Sequence, residues 1–117
     1  MKARNVVLAG SLENQKVFYS SDYSYIKKSL FAPEYITLTP KNIKNYELIT
    51  AESYKDGTSA ILRGTAGALL LGGVGVLAGL TAKNNDIYTI AIEWQSGRKS
   101  LLEVDKDIYK SIVAKCM

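Results

Sequence analysis

Three carboxylates alternate along the run EVDKD: Glu103, Asp105 and Asp107. Carboxylates this close together could share a proton or hold a cation. The spacing also fits a strand end followed by the cap and first turn of a helix, where acids satisfy unpaired N–H groups. The second reading accounts for them better, and Asp22 and Asp56 read in the same way as cap and turn residues. Tyr19, Tyr23 and Tyr25 form another set with Lys27 and Lys28, in a chain that holds 8 tyrosines. Rings beside ammonium groups suit nucleotides, peptides or headgroups, through ring contacts and phosphate hydrogen bonds. Arg63 and Arg98 would add cations for a small anionic ligand. The competing reading has the tyrosines filling a small sheet with their hydroxyls in water. Cys116 lies on the apolar face of the last helical pattern and reads as a small hydrophobe rather than a nucleophile. The chain has no histidine, which removes the Ser-His and Cys-His pairs and the commonest metal ligand. No CxxC pair is present for zinc. No catalytic residue, metal site or cofactor is assigned, and a non-enzymatic protein is expected.

The segment GTAGALLLGGVGVLAGLTA, Gly64 to Ala82, poses a different question, because it carries no charge. A helix of 19 residues could just cross a bilayer core. Six of those residues are glycine, no aromatic residue marks either interface, and Gly72-Gly73 invites a break. The string around Gly73, Gly75 and Gly79 superficially copies a dinucleotide-binding turn. It lacks the helix length and the parallel strand that such a unit needs. No Lys-Ser or Lys-Thr follows to make a P-loop. Packing is the third reading. Ala60, Gly64, Ala68 and Gly72 recur every four residues, as do Gly75 and Gly79. Small residues at that period make a smooth stripe along a helix. A helical hairpin between Ala60 and Ala82, broken near Gly72, satisfies the pattern, with Leu70 and Val76 on its apolar faces. Such an element must be buried, and self-association would bury it, with Gly64, Ala68, Leu70, Gly72, Gly75, Val76 and Gly79 at the interface.

The remaining elements frame these residues. Asn5–Gly10 and the stretch around Val17 read as short strands. Asp22 could cap a helix starting at Tyr23, in which Ile26 and Leu30 share a face. Ile36 and Leu38 alternate with Thr37 and Thr39, and Pro40-Lys41-Asn42 reads as a turn, so Ile43–Thr50 would complete a hairpin-like unit. Tyr88, Ile90, Ile92 and Trp94 alternate with Thr89, Ala91, Glu93 and Gln95, which predicts a half-buried strand. A turn at Ser96-Gly97 then makes a hairpin with the following RKSLLEV. Residues 105–117 read as an amphipathic closing helix. Length predicts one domain over 1–117. A net charge of +4, with lysines and arginines scattered along the chain, is too diffuse for a dedicated nucleic-acid binder. The short apolar run at Val6–Gly10 does not make a signal peptide, and a lone cysteine suits a reducing compartment, so a cytoplasmic location is expected.

The segments YITLTPKNIKNYELI, IYTIAIEWQSGRKSLLEV and DIYKSIVAKC, with ILRGTAGALLLGGVGVLAGLTAKN between the hairpins, resemble bacterial pleckstrin-homology-like domains of the small GRAM-like type. They also resemble small Firmicutes and prophage proteins with a Gly/Ala-rich insert. The resemblance covers roughly residues 35 to 117 and implies a fold and a binding role, with no catalytic residues to carry over. The expectation is an α+β domain: an antiparallel, partly barrel-like sheet closed by the C-terminal helix, with the Gly/Ala-rich helical hairpin inserted. The leading function is a binding or scaffold protein that self-associates through that hairpin. The resemblance adds a possible phage origin and a host protein as target. Two alternatives stand beside it: sequestration of a small anionic ligand such as a nucleotide signal, and a membrane-peripheral adaptor that inserts the hairpin.

Overall fold

The computed structural model describes residues 3–27, 35–50, 61 and 87–116. Strands β1 (Val6–Gly10), β2 (Val17–Ser20), β3 (Tyr23–Lys27), β4 (Tyr35–Thr37), β5 (Ile43–Ile49), β6 (Tyr88–Trp94) and β7 (Lys99–Val104) precede helix α1 (Lys106–Cys116). They form two antiparallel sheets, one of four strands in the order β1-β7-β6-β5 and one of three in the order β2-β3-β4.

This corrects the expected fold. Among the described residues there is neither a closed barrel nor a helical hairpin, and the segment expected to form one lies, apart from Ile61, outside them. The sheets stay separate for local reasons. β1 pairs with β7, and a single bridge from Val6 to Lys16 joins it toward β2. β4 has only 3 residues and pairs with β3. Its expected hairpin with β5 does not form. Leu38 instead drops into the core, with its N–H donated to the Ser24 carbonyl. The Asn42 amide then donates to the Thr37 carbonyl and hydroxyl and holds the turn that crosses between sheets.

A second correction concerns Tyr23–Lys27, which is strand and not helix. Ser24 and Ile26 are buried, while Tyr23, Tyr25 and Lys27 face outward, which is the two-residue period of a sheet. Ser21 and Asp22 form a tight turn that sets Phe18 opposite Tyr25. The positive φ of 51° at Ser21 is what permits it.

The β6–β7 hairpin forms where the alternation places it, with Ile90 opposite Leu102. Its burial differs from the expectation of one wet face. Ile90, Ile92, Trp94, Leu102 and Val104 join Val7, Ile26, Leu38, Ile108 and Ile112 in the core between the sheets and α1. On the opposite face, Ala91 and Leu101 are 0% exposed and cluster with Ala9, Ile49 and Ile61. Lys99 Nζ donates to the Ile61 carbonyl at 2.7 Å on the same side. A bulge at Leu8 lets β1 contribute to both faces: Val7 points into the first cluster and Ala9 into the second.

Helix α1 closes the inner face of the three-stranded sheet. The Ser24 and Ser111 hydroxyls are hydrogen-bonded in the interior, and Ser111 also donates to the Ile108 carbonyl. Tyr109 stacks on Tyr88 with ring centroids 4.5 Å apart. No described helix is long and apolar enough to cross a membrane.

Candidate binding surface

The carboxylate run is committed to structure. Glu103 takes a two-pronged contact from Arg4, with Nε and Nη2 each 3.0 Å from a carboxylate oxygen, and accepts the Arg4 backbone N–H at 2.8 Å. Burial pushes the Glu103 carboxyl up. The Arg4 hydrogen bonds and charge outweigh that, so it titrates below the ordinary range, and Arg4 is held correspondingly higher. Asp105 caps α1 by accepting the Ile108 N–H, and it exchanges two hydrogen bonds with the Asn5 side chain. Asp107 lies exposed in the first helical turn. Among the described residues no group of three or more His, Cys, Asp or Glu could hold a metal. Cys116 packs partly buried against the core, and burial raises its thiol pKa.

The tyrosine set is partly brought together. Register places Phe18, Tyr23, Tyr25, Lys27 and Tyr35 on the outer face of the three-stranded sheet, because each shares a side with its cross-strand partner. Tyr25 is the hub. Its ring lies 5.4 Å from Phe18, 5.2 Å from Tyr35 and 6.0 Å from Tyr23, centre to centre. Lys27 Nζ sits 5.8 Å from the Phe18 ring centre, in cation–π range. Tyr35 is 54% exposed and Phe18 37%, an uncommon display of large rings on one small sheet.

Tyr19 does not belong to this face. It pairs with Ser24, so it points to the opposite side, and its hydroxyl donates to the Ser21 carbonyl. Phe18 takes the place expected for it. Sequence reasoning missed Phe18 and Tyr35, and the signal that finds Phe18 is the tight turn at Ser21-Asp22. Arg98 lies on the β6–β7 turn, beside a cavity lined in part by Trp94 and Ile36. Lys28, Arg63, Gly64, Ala68, Leu70, Gly72, Gly75, Val76 and Gly79 lie outside the described residues.

Comparison with family models, with curated proteins and with solved structures finds no match for this chain.

Proposed function

We propose that the chain is a non-enzymatic binding protein whose outer β2–β3–β4 face docks an acidic partner protein. The observation that carries this reading is the connected ring cluster around Tyr25, left in solvent with Lys27 at its margin. Aromatic rings held rigid by a sheet give large contact area at low entropic cost, as interface anchors do. The outward residues of the three strands include one cation and no carboxylate, which favours an acidic surface opposite. Stacking against one another also occupies ring faces that a nucleobase would need, which turns the surface away from single-stranded nucleic acid. The kinship with pleckstrin-homology-like domains enters this proposal for its binding role alone.

A photo-crosslinking amino acid at position 35, compared with one at the exposed Lys44 on β5, tests the reading in cells that make the protein. The expected result is a discrete protein adduct from position 35 that Lys27→Glu removes. Equal labelling from both positions, or none from 35, overturns it. An adduct to a second copy would replace the acidic partner with self-association.

A further inference from the structure

Three turns border a cavity of about 420 Å³. Leu12 comes from the β1–β2 turn, Asn42 from the turn before β5, and Gln95 and Arg98 from the β6–β7 turn; Ile36 and Trp94 line it as well. The size falls in the range of small-molecule sites, and the mixture of apolar wall with a few polar groups is typical of them.

The wall is held in place. Trp94 Nε1 donates to Ser100 Oγ at 2.7 Å, and that hydroxyl donates to the Ser11 carbonyl. The indole is thereby tied to the β1–β2 turn. In that turn Leu12 has a φ of +67°, which costs a branched side chain about 1 kcal/mol or more. It keeps that conformation while packing partly buried beside the core.

Among the described residues that line the cavity, Arg98 is the only charged one. Its backbone N–H is taken by Ser96 Oγ and its carbonyl by the Trp94 N–H, while its guanidinium has no acceptor among the described residues. Asn42 Nδ2 donates to the Thr37 carbonyl and hydroxyl, and Gln95 Nε2 to the Pro40 and Ile43 carbonyls, which ties both side chains to the surrounding turns.

We infer that this cavity binds a small organic anion, with its apolar body against Leu12, Ile36 and Trp94 and its carboxylate or phosphate on Arg98. A guanidinium fork with no acceptor among the described residues is a natural donor to such a group. The inference does not rest on the ring face, although Ile36 belongs to the sheet that carries it.

Trp94 is the only tryptophan, so its indole N–H gives one nuclear magnetic resonance signal at the cavity wall. The experiment titrates adenosine 5′-monophosphate and 4-hydroxybenzoate against this signal, with adenosine, 4-hydroxybenzyl alcohol and inorganic phosphate as controls. One of the two organic anions is expected to move the signal saturably, with each control at least tenfold weaker. Arg98→Gln should weaken that anion at least tenfold without changing the rest of the spectrum, and Ile36→Phe, which adds bulk to the lining, should weaken it too. The inference is overturned if neither anion moves the signal at millimolar concentration, if Arg98→Gln binds as well as wild type, or if inorganic phosphate binds as tightly as the organic anion. Shifts confined to Tyr25 and Tyr35 would also overturn it and would leave the ring face as the binding surface.

Discussion

The two sheets are written in the same alternating code and end in different environments. In the four-stranded sheet both sides of β6 and β7 are closed: Ile90 and Leu102 face one cluster, and Ala91 and Leu101 face another. In the three-stranded sheet only one side is closed, by α1 through Ile26 and Ser24, and the other carries rings into solvent. A strand with small or apolar residues on both sides is a layer in a core. A strand with aromatic residues on its wet side leaves apolar area in water that the core does not use. The four-stranded sheet is thus covered on both sides, and the three-stranded sheet on one.

Substitutions can break that contrast. The largest effect belongs to the second cluster. Leu101→Ala should cost about 3 kcal/mol in urea unfolding, since a fully buried leucine loses transfer energy and leaves a cavity. Tyr35→Ser, on the open face, should cost about 0.5 kcal/mol or less. Equal costs would abolish the distinction.

Next is the clamp on β1. Arg4→Ala should destabilise by about 1 kcal/mol at neutral pH, the scale of a charge-assisted hydrogen-bonded pair that is open to water on one side. Its sign with pH follows from Glu103, whose folded pKa is lowered. The stabilisation is present above the ordinary glutamate value of about 4.3 and is lost as pH falls through the lower folded value. Wild type should therefore lose stability faster than Arg4→Ala across that acid window, as followed by unfolding at a series of pH values.

The smallest effect sharpens the picture of the open sheet. Ser21→Gly should raise the melting temperature slightly, worth about 0.5 kcal/mol, because the turn asks for a left-handed residue that glycine adopts without strain. A loss of stability there would mean that the Ser21 side chain has a role in the turn.

How much of this was readable in the residues depended on how local the signal was. The β6–β7 hairpin and α1 follow from short-range pattern: alternation, a Ser-Gly turn, an acidic cap at Asp105. The fate of Ile36–Thr50 did not, because alternation names strands without naming their partners. Leu38 bonding to Ser24 and Asn42 bonding to Thr37 are what send β4 and β5 to different sheets. The dry second side of β6 was hidden too. Thr89 and Glu93 look like solvent residues, and only long-range packing shows that Thr89 is 5% exposed. For the binding face, Tyr23, Tyr25 and Lys27 were visible as a group. Tyr19 was not separable from Phe18 until the turn fixed the register.

The sheet order also sets a schedule for the growing chain. β1 finds its ladder partner in β7, and Arg4 meets a carboxylate 99 residues further on. At ordinary ribosomal rates that separation is about 5 to 20 s of synthesis. Through that interval Val7 and Ala9 have no native strand to pair with, and Ile26 has no helix to cover it. The nascent protein must wait for its last strand and helix before the first strand can settle, so its exposure to chaperones and proteases is set by translation speed as much as by folding speed.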